Sequence, residues 1–133
     1  AGVGTGGTLT GVGEVLKKKF PKVKVVAVEP KSSAVISGGS PGPHKIQQLG
    51  HGFIPKNLNR SLVDEVISVT DDEAYLMTRR LAREEGILVG ISSGANVHVA
   101  AVVGQKLGAK SKVLTFLCDA GQRYFSAERF FKN

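Results

Sequence analysis

The amino-acid sequence predicts an α/β fold of three layers, in which helices flank a largely parallel sheet. Short, valine-rich apolar runs alternate with longer segments of helical periodicity, which is the pattern of strands connected by helices. The runs are apolar at consecutive positions, as in strands that are buried on both faces. With 133 residues, of which 41% are hydrophobic, the chain is long enough for a single domain with a buried core.

Local signals predict the individual elements. Thr70 and Glu73 have the spacing of a capping box, and Gly86 and Gly108 stand where a glycine ends a helix. We predict helices over 7–19, from Thr70 to about Gly86, from Ser92 to about Leu107, and over 126–131. We predict strands over 23–28, 65–69, 87–91 and 112–117. Residues 31–53, which are rich in glycine and proline, are predicted to form a long functional loop.

The positive charge of the chain does not by itself indicate nucleic acid. Lys and Arg number 18 against 11 Asp and Glu, a formal net charge of +7. The densest basic run, over 17–24, is expected at the solvated end of a helix, so we expect no nucleic-acid partner. No apolar run reaches the roughly 20 residues of a membrane span, so no membrane partner is expected. The single cysteine, Cys118, is consistent with the reducing cytoplasm, and we identify no metal ligands.

A glycine-rich segment precedes the first predicted helix. Residues 2–8 read Gly-Val-Gly-Thr-Gly-Gly-Thr, and glycines let backbone N–H groups at a helix start approach an anion closely. A phosphate group is the expected ligand. One alternative is a nucleotide-binding module, because Gly2, Gly4 and Gly7 match the dinucleotide fingerprint and Glu29 stands at the position of a ribose-binding acid.

Several segments together resemble one enzyme family. These are Gly4-Thr5-Gly6-Gly7-Thr8, Val28-Glu29-Pro30, Gly42-Pro43-His44-Lys45-Ile46-Gln47, Gly50-His51-Gly52-Phe53-Ile54-Pro55, Gly90-Ile91-Ser92-Ser93-Gly94-Ala95-Asn96 and Gly121-Gln122-Arg123-Tyr124-Phe125-Ser126. In this order and spacing they are similar to the cysteine synthase (O-acetylserine sulfhydrylase) family. The resemblance implies the tryptophan-synthase-β-like fold and pyridoxal 5′-phosphate as the cofactor.

The resemblance also implies roles for single residues. The residues expected to hold the cofactor phosphate are Gly4, Thr5, Gly6, Gly7 and Thr8. Ser92 is expected to hydrogen-bond the pyridine nitrogen, although an ordinary helix N-cap is the alternative that the sequence itself favours.

The residues expected at the substrate loop are Gln47, Gln48, Gly50 and His51. Gln48 replaces a glycine and His51 an alanine of many family members, which leaves the identity of the donor substrate open.

The lysine that binds the cofactor in this family lies in a motif upstream of the glycine-rich segment. The twelve lysines of this chain lie outside that context, so we expect no catalytic residue within it. The whole chain, 1–133, is then expected to be a single domain from the C-terminal portion of a longer enzyme, without the N-terminal part that bears the lysine.

The activity implied by the resemblance is the synthesis of L-cysteine and acetate from O-acetyl-L-serine and sulfide. The expected partners are these substrates, a second copy in a homodimer, and the C-terminal tail of serine acetyltransferase. Cystathionine β-synthase and O-phosphoserine sulfhydrylase are the alternatives within the superfamily. A non-catalytic interaction domain is the alternative outside it.

Overall fold

The structure is a computed structural model that describes residues 1–124. Helices and strands follow each other in the order α1 (Gly7–Lys19), β1 (Val26–Pro30), β2 (Glu65–Val69), α2 (Asp71–Glu84) and α3 (Ile91–Leu107). Short 3₁₀ turns occupy Lys31–Ser33, Arg60–Leu62 and Gly121–Tyr124. The chain divides into two compact units, Ala1–Ser68 and Val69–Asn133. The helix that the sequence predicts over 126–131 lies outside the described residues.

In the first unit, a small sheet carries the segment that leads into α1. β1 and β2 are neighbours in a two-stranded sheet, and Gly2 forms a parallel bridge with Val28. Val3 N donates to Val28 O at 3.0 Å, and Val28 N donates to Ala1 O at 2.9 Å. The buried side chains of this core are Val3, Leu9, Ala27, Ile36 and Leu58. The glycine-rich segment is therefore anchored to β1 immediately before it turns into α1.

The basic end of α1 is tied to the segment that precedes β2. Lys17 in the last turn of α1 lies 2.9 Å from a carboxylate oxygen of Asp64, and Lys24 lies 3.5 Å from the other oxygen. Asp64 also accepts a hydrogen bond from Val25 N at 2.7 Å. This confirms the prediction that cations occupy a helix C-terminus, where they complement the helix dipole.

In the second unit, α2 and α3 pack closely against each other. α2 begins at the predicted capping box: Glu73 N donates to Thr70 Oγ1 at 3.2 Å, and Thr70 N donates to a carboxylate oxygen of Glu73 at 2.8 Å. A Cβ on Gly94 of α3 would overlap Thr78 Oγ1 and the carbonyl oxygen of Ala74. Only glycine therefore fits where α3 approaches α2.

Three predicted strands differ from the structure. The first is Val26–Pro30 rather than 23–28, because Val25 gives its N–H to the Asp64 side chain instead of a neighbouring strand. Within residues 1–124, the segments 87–91 and 112–117 form no strand, and Val89 makes one isolated bridge with Ala120. A valine-rich run predicts a strand only where a second strand can complete the ladder of hydrogen bonds.

Candidate cofactor and substrate site

The glycine-rich segment presents the start of α1 without a cap. Gly6 is the N-cap residue of α1, and its φ of 83° lies in the left-handed region that favours glycine. Within the described range 1–124, no side chain caps this helix, and its first turn contains no acidic residue. Thr5, Gly7 and Thr8 are exposed. The N–H groups of the first turn and two threonine hydroxyls are thus available to an anion, which is the geometry that a phosphate requires.

The predicted substrate loop lies directly against the glycine-rich segment in the same unit. A Cβ on Gly4 would overlap the carbonyl oxygen of Gln48 and would lie 3.7 Å from His51 Nε2. Gly50 N donates to Val3 O at 3.3 Å, which fixes the loop one residue before Gly4. The structure therefore brings together the residues predicted for phosphate binding and those predicted for the substrate loop.

The predicted substrate loop lines an open hollow of about 550 Å³. The carbonyl oxygen of Gly50 accepts hydrogen bonds from His44 Nε2 at 2.9 Å and from Ser33 Oγ at 3.4 Å. These two bonds connect three residues that line the hollow. Because a carbonyl oxygen only accepts, Nε2 of His44 carries the hydrogen. The residues that line the hollow are Ser33, Pro41, Gly42, His44, Ile46, Gln47, Gln48, Leu49, Gly50, His51 and Gly52.

Gln48 is the one residue other than glycine with a positive φ, 67°, among the described residues. The left-handed region is unfavourable for a residue with a Cβ. It is also the position at which the chain departs from the glycine of the family that it resembles. The sequence showed the substitution, but the conformation that makes it costly required the structure.

Ser92 lies in the second unit, in the first turn of α3. The N-cap residue of α3 is Gly90, not Ser92, so the alternative that Ser92 is an ordinary N-cap is wrong. The side chain of Ser92 is buried, and its Oγ has no hydrogen-bond partner within the described part of the chain. A buried hydroxyl without a partner is unfavourable unless a polar group from outside the chain meets it.

The segment that follows α3 is held near Ser92 by polar side chains. Cys118 N donates to Ser93 Oγ at 2.8 Å, and Asn96 Nδ2 donates to the carbonyl oxygen of Phe116 at 2.9 Å. These contacts place Asp119 beside Gly90, whose N–H donates to Asp119 O at 3.1 Å.

Asp119 and Tyr124 form a polar pair that the sequence did not reveal. The Tyr124 hydroxyl donates to Asp119 Oδ2 at 2.5 Å, whereas Asp119 Oδ1 is buried and has no hydrogen-bond partner among residues 1–124. Burial and the hydrogen bond to Asp119 raise the pKa of Tyr124 to about 12. Their spacing of five residues around Gly121 was the one signal in the sequence that could have pointed to the pair.

Glu29 does not have the role that the nucleotide alternative requires. Its carboxylate is buried and accepts hydrogen bonds from Ile36 N at 2.8 Å, from Ser37 N at 3.2 Å and from the Ser37 hydroxyl. These donors satisfy the carboxylate and fix the turn that follows β1. A ribose-binding acid must instead face the ligand, so the interpretation of Glu29 as such an acid is wrong.

The comparison with known proteins identifies the family. Residues 1–119 match the family of pyridoxal-phosphate dependent enzymes. The chain belongs to this family, whose cofactor is pyridoxal phosphate. This confirms the resemblance, the α/β fold class and the cofactor that the sequence predicted.

Individual relatives show which members of the family this chain is similar to. The chain is 56% identical over 126 residues to a cysteine synthase of Staphylococcus aureus, and the matched region covers 95% of this chain and 41% of the relative. The crystal structure of cysteine synthase from Entamoeba histolytica matches with a TM-score of 0.93 and 36% identity, over 99% of this chain and 39% of that one. The structure of an O-ureido-L-serine synthase matches with a TM-score of 0.91 and 43% identity, over 98% of this chain and 41% of that one. The chain thus spans about two fifths of the length of these relatives.

The residues present fit pyridoxal phosphate. In the first unit, the uncapped start of α1 offers N–H groups that suit a phosphate. In the second unit, the buried Ser92 hydroxyl has no hydrogen-bond partner among residues 1–124, so it suits an acceptor such as a ring nitrogen. Among residues 1–124, no group of three His, Cys, Asp or Glu side chains could hold a metal ion. No helix in that range is long and apolar enough to cross a bilayer.

Proposed function

We propose that this chain is part of a cysteine synthase, which makes L-cysteine and acetate from O-acetyl-L-serine and sulfide. Its similarity to a cysteine synthase at 56% identity supports this activity. The single structural observation that carries the proposal is the Ser92 hydroxyl, which is buried and has no hydrogen-bond partner among residues 1–124, while Gly90 is the N-cap of the helix that contains Ser92. When bound, pyridoxal phosphate acts as an electron sink that allows a leaving group to depart from the Cβ of an amino acid.

The residues of this chain then bind and orient the cofactor and the substrate. The phosphate is held by Gly4, Thr5, Gly6, Gly7 and Thr8, because backbone N–H groups and hydroxyls meet there at the start of a helix. The Ser92 hydroxyl hydrogen-bonds the ring nitrogen and fixes the plane of the ring. The substrate enters beside Gln47, Gln48, Gly50 and His51, whose hollow adjoins Gly4.

The reacting amine comes from outside this chain. We propose that a lysine of the remaining part of the enzyme binds the cofactor and moves the α-proton of the substrate. The chain then corresponds to the C-terminal portion of that enzyme and is inactive by itself. We further propose that the enzyme is a cytoplasmic homodimer and that the tail of serine acetyltransferase is one of its ligands.

The test is an assay of the full-length protein that contains this sequence. We expect cysteine from O-acetylserine and sulfide, and much less product when O-phosphoserine replaces O-acetylserine or homocysteine replaces sulfide. A higher rate with either replacement would assign the enzyme to O-phosphoserine sulfhydrylases or cystathionine β-synthases instead. Residues 1–133 alone, supplied with pyridoxal phosphate, are expected to lose at least the roughly 10²–10⁴-fold that one positioned proton-transfer group contributes.

The role of Ser92 has its own test. Ser92→Ala is expected to change the visible absorption of the bound cofactor, because it removes the hydrogen-bonding hydroxyl that we assign to the ring nitrogen. Ser111→Ala, at an exposed serine of the same unit, is the matched control. Unchanged absorption and unchanged rates in Ser92→Ala would remove Ser92 from the cofactor site.

A further inference from the structure

The first turn of α3 depends on the position of Gly90. Gly90 is the N-cap residue, and no side chain among residues 1–124 caps this helix. Its carbonyl oxygen accepts hydrogen bonds from Ser93 N at 3.1 Å and from Gly94 N at 3.2 Å. Its φ of −75° and ψ of 169° lie in the extended region, which any residue adopts. The backbone conformation therefore does not explain why this position holds a glycine.

Asp119 contacts Gly90 through its backbone and through its side chain. Gly90 N donates to Asp119 O at 3.1 Å. A Cβ on Gly90 would overlap Asp119 Oδ1 and would lie 2.6 Å from Tyr124 Cε2, so the close approach of this pair is what requires the glycine. The Tyr124 hydroxyl donates to Asp119 Oδ2. This hydrogen bond fixes the carboxylate in the orientation that places Oδ1 against Gly90.

Ser92 lies between two residues that the segment 118–119 holds by hydrogen bonds. On one side is Gly90, whose N–H is bound to Asp119. On the other side is Ser93, whose Oγ accepts from Cys118 N at 2.8 Å. The Ser92 hydroxyl is buried and has no hydrogen-bond partner in the described part of the chain. The segment thus holds the turn on both sides of the one hydroxyl that we assign to the cofactor.

We propose that Asp119 is a positioning residue, which holds Gly90 in place and thereby fixes the Ser92 hydroxyl at the ring nitrogen of pyridoxal phosphate. Tyr124 orients the Asp119 carboxylate for this role. The proposal rests on the proposed function, which assigns Ser92 to the ring nitrogen, and adds the residues that set the position of its hydroxyl. Positioning matters because hydrogen bonds weaken steeply away from their preferred distance and angle.

The test is a double-mutant cycle on cofactor affinity in the full-length protein. The cofactor is removed, and pyridoxal phosphate is titrated back with visible absorption as the signal. We expect Asp119→Ala and Ser92→Ala each to raise the Kd of the cofactor by about threefold to tenfold, the range of one neutral hydrogen bond. Because Asp119 acts through Ser92, Asp119→Ala should raise the Kd by less than about twofold in the Ser92→Ala background. Two full effects that multiply would overturn the proposal.

Thr8→Ala is the matched control for the cycle. Thr8 lies in the first unit and is assigned to the phosphate, so its effect on the Kd should multiply with that of Asp119→Ala, as the effects of independent sites do. If Asp119→Ala does not fold, Tyr124→Phe replaces it in the cycle, because it removes only the hydroxyl that orients the carboxylate. Tyr124→Phe should then raise the Kd in the wild type but not in the Ser92→Ala background, and equal effects in both would overturn the proposal.

A conservative variant separates position from charge. Asp119→Asn keeps the shape of the side chain and an oxygen that accepts from Tyr124. It should therefore leave the Kd of the cofactor close to that of the wild type, whereas Asp119→Ala does not. A rise in Asp119→Asn as large as in Asp119→Ala would show that the charge of the carboxylate acts instead of its position, which would overturn the proposal.

Amide hydrogen exchange of the cofactor-free protein separates this proposal from the proposed function. Asp119→Ala should speed the exchange of the Ser93 and Gly94 amides, because their acceptor is the Gly90 carbonyl. If the enzyme makes no cysteine but the faster exchange and the coupling in Kd both occur, the proposed function fails and the positioning role stands. If cysteine forms but the exchange is unchanged or the coupling is absent, the proposed function stands and the positioning role is overturned.

Discussion

The carbonyl oxygen of Gln48 lies so close to Gly4 that a side chain at position 4 would overlap it. The backbone of the substrate loop thereby sets the path of the segment that leads into α1. The backbone of Gln48, whose φ is 67°, thus explains the strict need for glycine at position 4.

Gly4→Ala is expected to destabilise the protein by about 1–3 kcal/mol, because the new methyl group meets backbone that cannot move independently. Gly7→Ala is the matched control, since its Cβ would lie 3.7 Å from Thr5 Oγ1, an ordinary contact. Urea unfolding without added cofactor measures both. Equal stability of the two variants would contradict the close approach of Gly4 and Gln48.

Gln48→Gly is expected to raise the free energy of unfolding by up to about 1 kcal/mol, since it removes the cost of a Cβ in the left-handed region. Gln47→Gly, at a neighbour without a positive φ, should lower it by about 0.5–1 kcal/mol through backbone entropy alone. Thermal unfolding of both variants measures these two changes in stability. A loss of stability in Gln48→Gly would mean that its side chain contributes more than its backbone costs.

Asp64 makes the stability of the first unit depend on acidic pH. The Val25 N–H first, and then Lys17, hold the pKa of Asp64 below its ordinary value of 3.8. A carboxylate with a lowered pKa contributes stability above its unfolded pKa and loses it as the pH falls through the folded pKa. The stability difference between wild type and Asp64→Asn should therefore shrink below pH 3.8. Glu14→Gln, at an exposed carboxylate of α1, is the control.

Tyr124 is expected to titrate with a pKa of about 12, which can be followed by ultraviolet absorption in a Tyr75→Phe variant that leaves it the only tyrosine. Because its folded pKa is raised, its contribution to stability is complete below pH 10 and is lost as the pH rises toward 12. Asp119→Asn should lower the pKa of Tyr124, since it replaces a carboxylate acceptor by a neutral amide. A midpoint near 10 in the Tyr75→Phe protein would contradict the burial of this hydroxyl.

Sequence signals that act within a few residues predicted the structure well. The bounds of α1 and β2 agree with the prediction, and the capping box of Thr70 and the glycine that ends α3 stand where expected. The missed features depend on distant partners. The Asp64 side chain displaces the start of β1, and the segments 87–91 and 112–117 lack the ladder partners that a strand needs.

The candidate site shows the same difference between local signals and features that depend on distant partners. The glycine-rich segment was predicted from its residues, because anion binding at a helix start depends on a contiguous stretch of chain, whereas the family resemblance supplied the role expected of the substrate loop. The buried state of Ser92 and the pairing of Asp119 with Tyr124 depend on how α3 and the following segment meet. The family resemblance supplied the role expected of Ser92, and the residues by themselves favoured a cap that the structure assigns to Gly90.

The contact of Gly94 with Ala74 and Thr78 has a consequence for the order of folding. Only the short connection 85–90 separates α2 from α3, so bringing the two helices together closes a small loop and costs little chain entropy. Contacts that are local in sequence form fastest. The helix pair that carries Ser92 can therefore assemble early, before β1 and β2 find each other across the thirty-four residues between them.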